Sequence, residues 1–169
     1  MESNFILSLS AIFIALASLA ATIWQAKITR EHNKLSVKPI PDILTSNFEN
    51  RITITLENNG TGPLIIKTFK AIIGNQSKSN IIDWMPNLPN GIYWSNWLRD
   101  FEGCAIKPFE SKLLLEYRLD LQDETQTKVR NIIREALSKI SIEFEYTDIY
   151  GTKMNFPLRF MSAAFGSKK

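Results

Sequence analysis

RITITLENNGTGPLIIKTFKAII, residues 51–73, is the stretch whose reading decides the fold. From Arg51 to Glu57 the apolar Ile52, Ile54 and Leu56 alternate with Thr53, Thr55 and Glu57, the period of two that gives a strand one buried face. Asn58-Asn59-Gly60-Thr61-Gly62-Pro63 interrupts the pattern, and its glycines permit the positive φ of a turn. Leu64 to Ile73 resumes as a second strand, closed by Gly74-Asn75.

Downstream, Lys112 to Leu121 alternates again, with Leu113, Leu115, Tyr117, Leu119 and Leu121 on one face. Asp123 is placed to N-cap a helix that has Glu124 in its first turn. Val129, Ile132, Ile133, Ala136 and Leu137 form that helix's apolar stripe, opposite Lys128, Arg130, Arg134 and Glu135. Arg130 and Arg134 lie one turn apart, as a phosphate site would need, but an exposed polar face is the reading preferred for them. Ser141 to Tyr146 and Lys153 to Phe160 read as two last strands, joined by a hairpin loop around Asp148-Ile149-Tyr150-Gly151. The tail ends in Lys168-Lys169. Short strands, turn signals and one helical crossing predict a mainly β domain over residues 39–169, an antiparallel immunoglobulin-like β-sandwich with one or two packed helices. The Cys and Trp pairing of antibody domains is absent.

Upstream of Pro39 and Pro41, which forbid a helix, the chain has a different character. Phe5 to Ala26 carries no charge and rises about 33 Å as a helix, enough to cross the hydrocarbon core of a bilayer. Residues 1–27 therefore read as one transmembrane helix, and residues 28–38 as a basic juxtamembrane segment. Met1-Glu2-Ser3-Asn4 lacks the basic start of a signal peptide, so an uncleaved anchor is expected.

The 169-residue chain has a net charge of +3, which is accounted for by Lys27, Arg30, Lys34 and Lys38 against Glu31 alone. Positive charge beside an apolar span, with the rest of the chain balanced, points to lipid and away from nucleic acid. Cations flanking a span stay in the cytoplasm, so the N-terminus is expected outside and the domain inside. Trp24 falls near the end of the span, where indole favours the headgroups; with Lys27, Arg30, Lys34 and Lys38 it makes a membrane-interface set. Those cations either set topology alone or also contact anionic lipid. Ser8, Ala11, Ala15, Ser18 and Thr22 recur on one helical face, a stripe that permits close helix association within the bilayer.

Between residues 80 and 103 Trp84, Tyr93, Trp94, Trp97, Leu98 and Phe101 crowd around Pro86, Pro89 and Gly91. If helical, Trp94, Trp97, Leu98 and Phe101 share a face. Trp84, Trp94, Trp97 and Phe101 are then either a partner surface or, the preferred reading, an aromatic flap closing one end of the core. An exposed sheet edge is the other surface expected to accept a partner.

Two strings bear a resemblance. Arg30-Glu31-His32-Asn33-Lys34-Leu35-Ser36-Val37-Lys38-Pro39 follows the span, and Leu56-Glu57-Asn58-Asn59-Gly60-Thr61-Gly62-Pro63 ends the first long strand. Together they resemble a widespread class of small bacterial single-pass membrane proteins that read H-N-x-L-S-V-x-P and then L-x-N-x-G-x-G-P; Tyr146 to Gly151 is similar to that class too. The resemblance implies an immunoglobulin-like domain on one helix in a bacterial inner membrane, and it brings no reaction. His32, Asn33 and Ser36 are read as docking the emerging helix through local backbone bonds rather than binding headgroups.

One histidine, His32, and one cysteine, Cys104, leave no zinc cluster and no internal disulfide. No nucleophile elbow, zincin or Walker string occurs, and Asp83, Asp100 and Glu102 by themselves name no reaction. No catalytic residue, metal or cofactor is expected. The sequence reads as a non-enzymatic interaction or scaffold module, tethered to the inner membrane and facing the cytoplasm, with membrane lipids and a protein partner or a second copy as its contacts. The alternative is a membrane-active effector of a bacterial defence or toxin system, whose helices oligomerise in the bilayer.

Overall fold

Alternating apolar residues become strands only where a second layer covers them, and here two antiparallel sheets share one buried core. A computed structural model describes residues 2–120 and 122–166 of the chain. Two units divide at Ser36/Val37. The first is a single helix, α1 (Glu2–Ser36), whose most apolar part has nothing packed on it.

Among the described residues the second unit holds nine strands: β1 (Pro41–Phe48), β2 (Arg51–Asn58), β3 (Leu64–Ile73), β4 (Gln76–Lys78), β5 (Asn96–Trp97), β6 (Ala105–Ile106), β7 (Ser111–Arg118), β8 (Ser141–Thr147) and β9 (Lys153–Phe160). A helix, α2 (Glu124–Ser138), joins β7 to β8, and a single turn, α3 (Ser162–Phe165), follows β9. One sheet runs β1-β2-β7-β5; the other runs β4-β3-β8-β9, with β6 also on β3. The strands read from residues 51–73 are thus neighbours in sequence but members of opposite sheets, and 58–63 is the crossover between layers. Ile52, Ile54, Leu56, Leu115 and Tyr117 from one sheet meet Leu64, Ile66, Phe69, Ile142 and Phe144 from the other.

Asn58 holds that crossover. It is fully buried, and its Oδ1 accepts from Ile40 N (3.2 Å) and Gly60 N (3.0 Å). Its Nδ2 donates to Gly62 O (2.8 Å) and Ile106 O (3.1 Å), while its backbone exchanges bonds with Phe109 and Glu110. One side chain therefore ties together the entry to β1, the crossover, and the turn between β6 and β7.

Gly60 and Gly62 do not adopt the positive φ expected of them; that conformation belongs to Gly74, Gly91, Gly103 and Gly151. Their role is close approach. A Cβ on Gly60 would overlap the backbone of Lys38, Pro39 and Ile40, and one on Gly62 would overlap the Val37 carbonyl. The end of the first string noted in the sequence, Val37-Lys38-Pro39, thus lies against the glycines of the second.

Two further expectations are corrected. The alternation over 112–121 is broken by a bulge: Ile54 pairs with Leu115 but Thr55 with Leu113, so Leu114 enters the core and Leu113 is half-buried. Leu121 lies outside the described residues, as do Lys168 and Lys169. On α2 only the row Val129, Ile133, Leu137 is buried, and Ile132 is exposed, because one i, i+4 row alone reaches the core. The Asp123 cap forms as read, accepting from Thr125 N at 2.8 Å.

Two predictions follow from this packing. In unfolding of the detergent-solubilised chain, Gly62→Ala should cost about 2–3 kcal/mol through backbone overlap. Gly74→Ala, in open space at positive φ, should cost only about 1 kcal/mol. The bond from Thr125 N holds the Asp123 carboxyl below its usual pKa of 3.8. A lowered acid pKa stabilises the fold above 3.8 and ceases to do so as pH falls through the folded value. The melting-temperature deficit of Asp123→Ala should accordingly be full at pH 7 and shrink in acid below about 4.

Candidate functional site

Residues 94–101 do not form the helix considered for them; apart from one 3-10 turn at Ile82–Trp84, the aromatic segment is irregular chain, with Pro86, Pro89 and Gly91, at φ +86°, between that turn and Trp94. It runs instead along the edge of β7: Ser95 N donates to Glu116 O (3.2 Å) and Leu98 N to Leu114 O (3.1 Å), with β5 between them. That path splits the aromatic residues into two groups. Phe101 is buried and stacks on Phe69, with ring centroids 4.3 Å apart. Trp84 is half-buried, donating from Nε1 to Ala71 O at 2.8 Å beneath the Lys78 ammonium. Trp94 packs edge-on against Tyr117 at 5.7 Å. Trp97 is 44% exposed and Tyr93 79% exposed.

Between Met85 and Trp97 this path leaves an open hollow of about 590 Å³ whose lining includes Met85, Leu88, Ile92, Tyr93, Trp94 and Trp97. Of the four residues singled out from the sequence, Trp94 and Trp97 line it, whereas Trp84 faces β3 and Phe101 fills the core. Asp83, Asp100 and Glu102 are exposed and line no part of it. Its lining mixes apolar rings and side chains with Asn87 and Asn90, with Pro86 and Pro89 in its wall, and it offers contact area rather than proton transfer.

The sheet edges are poorly suited to adding a strand. β4 and β5 are three and two residues long. On β1, Pro41 has no N–H, Asp42 Oδ1 accepts from Ile43 N (2.8 Å), and Arg130 donates to Phe48 O (2.9 Å). On β9, Pro157 sits in a bulge opposite Glu143, and Arg159 reaches across to Asp42. These are devices that close an edge.

Arg130 and Arg134 are half-buried rather than solvent-facing. Arg130 also donates to Asn47 Oδ1 (3.2 Å), fastening α2 to the end of β1, and burial with Arg134 beside it lowers its pKa from the ordinary arginine value. Arg134 Nε is buried without an acceptor among the described residues, next to a hollow lined by Asn131, Glu135, Ser138 and Phe165. The Tyr117 hydroxyl is likewise unpaired, and burial pushes its pKa up. Among the described residues no three His, Cys, Asp or Glu come together as metal ligands.

On α1 the stripe residues Ser8, Ser18 and Thr22 return their hydroxyls to the carbonyls of Asn4, Ile14 and Ser18, at 2.8–2.9 Å. These hydroxyls are satisfied within the helix, so the stripe offers smallness and not unpaired donors. Ser36 Oγ also bonds locally, to Asn33 O at 2.8 Å. Trp24 and Lys27, Arg30 and Lys38 are exposed, and Lys34 is half-buried.

No family model, no curated protein and no solved structure matches this chain.

The split of the aromatic segment is measurable. Phe101→Ala should cost about 3–5 kcal/mol, as for any large ring lost from a core, and Trp97→Ala under about 1 kcal/mol, in paired unfolding curves.

Proposed function

We propose that the chain is a membrane-tethered, non-enzymatic interaction module whose domain faces the cytoplasm of a bacterial inner membrane and binds a partner protein. The observation that carries this is α1: a helix with a mean hydropathy of 2.3 over its apolar window, no part of that window buried, and its nearby cations all on the C-terminal side. A soluble core helix would have its apolar face covered.

The domain reads as immunoglobulin-like. Labelled in chain order, β1-β2-β7-β5 corresponds to A-B-E-D, and β4-β3-β8-β9 to a short extra strand beside C-F-G, with α2 inserted between E and F. That order supports the assignment, and so does the resemblance of the two strings to small bacterial single-pass proteins. The partner surface is the hollow between Met85 and Trp97, because exposed indole and phenol rings on a proline-rigid wall supply contact area at low entropic cost.

The alternative, an effector whose helices assemble in the bilayer, is favoured by the Ser8, Ala11, Ala15, Ser18 and Thr22 stripe. It requires that induced expression depolarise cells and that Leu at Ala11, Ala15 and Ser18 abolish the effect.

Protease added to intact spheroplasts should leave the domain whole and digest it only after lysis; digestion before lysis rules out the cytoplasmic orientation. The paired change Tyr93→Ala and Trp97→Ala should release a co-purifying partner at unchanged melting temperature. Retention of the partner moves its surface elsewhere.

A further inference from the structure

We propose that the end of the domain receiving the chain from α1 docks on the lipid headgroup surface, inserting the tips of the β6–β7 and β8–β9 turns. The inference rests on the membrane-anchoring reading of α1.

The two turns share that end. Asn58 binds both Ile40, the residue before β1, and the β6–β7 turn, through Ile106 O and Phe109 N. Leu64, which begins β3, pairs with Ile106, and Ile65 pairs with Thr147, the last residue of β8. The Asp148–Thr152 turn therefore projects from the same end as Phe109 and Ile40.

What projects there is apolar. Ile40 is 55% exposed, Phe109 73%, Ile149 62% and Tyr150 53%. Phe109 adopts φ +58°, a conformation that bulky residues avoid, with its amide held by Asn58 O at 2.9 Å. The ring stacks on no other aromatic ring among the described residues and is left mostly to solvent. The other turn is braced from below: Asp148, 5% exposed, accepts from Tyr150 N (2.8 Å) and Thr152 N (2.9 Å), presenting Ile149 and Tyr150 at a rigid apex. Lys107 and Lys153 flank the tips.

The length of the tether selects lipid as the occupant. Only Lys27–Ser36 separate the uncharged span from Val37, and ten helical residues rise about 15 Å. The headgroup layer takes roughly 5–8 Å of that, so the tether keeps the receiving end of the domain within about 10 Å of the interface, where tyrosine and aliphatic side chains are stable. Lys107 already pairs with Glu110 at 3.3 Å, so insertion rather than charge holds the contact, and added salt should change it little.

The test uses the full chain carrying Cys104→Ser, with a fluorophore on Ile149→Cys or, as a reference, on Asn75→Cys in the β3–β4 turn. The ten residues of β3 put that reference roughly 30 Å away. The chain is reconstituted in phosphatidylcholine and phosphatidylglycerol vesicles containing headgroup-depth nitroxide lipid. Quenching at position 149 is expected to be at least about twofold greater than at 75, to persist in high salt, and to fall in the Phe109→Asn, Tyr150→Ser background. Equal quenching at the two positions overturns the proposal, as does protection of position 149 from aqueous quencher without quenching by lipid, which would mark contact with a second copy. Flotation with the vesicles reports the anchor separately. A chain that fails to float defeats the anchoring reading, and one that floats with position 149 unquenched defeats this inference alone.

Discussion

The carboxamide of Asn58 is the interaction on which the rest of the domain depends. It sits at zero exposure where three segments without regular structure converge, and each brings backbone groups that neither sheet can satisfy. A buried amide or carbonyl left unpaired costs about 1–3 kcal/mol, so a crossover between layers needs a side chain with both donors and acceptors at its centre. Asparagine supplies both within one short group. Aspartate would set a carboxylate against the Gly62 and Ile106 carbonyls, and leucine would satisfy none of them. The arrangement also demands that backbones approach more closely than any Cβ allows, which is why Gly60 and Gly62 flank the site.

From that node the architecture distributes what remains exposed. β1 and β9, the long outer strands, are closed by Pro41, Pro157, the Asp42 carboxylate and the two arginines that reach them from α2 and β9. Blocked edges suppress adventitious strand pairing, and they direct any recognition toward side-chain surfaces. Among such surfaces are the hollow around Tyr93 and Trp97 and the loop tips beside the Asn58 node. The first presents a concave surface of mixed polarity and the second convex apolar tips, shapes suited to a protein segment and to a fluid interface respectively.

The aromatic segment illustrates how far local pattern carries. Its rings are visible in the sequence as a cluster, but Phe101 and Trp97, four residues apart, have opposite fates because only Asn96–Trp97 pairs with β7, and the chain has left that edge where Phe101 enters the core against Phe69. A helical reading would have put them together. Arg130 makes the same point on α2: its spacing looks like a polar face, while its guanidinium is committed to the end of β1, more than eighty residues earlier. Bulges at Leu114 and opposite Glu143 likewise shift faces by one residue, and no period within a single strand reports them.

By itself the sequence determined the long apolar helix, the placing of charge after it, the limits of β3 and β9 to the residue, and the Asp123 cap, because each of these depends on neighbours within a few positions. Only the tertiary structure decided that β2 and β3 belong to different sheets, that Gly60 and Gly62 serve close approach rather than turn conformation, and which aromatic rings face inward. Those outcomes turn on contacts between residues distant in the chain, whose energies no local period contains.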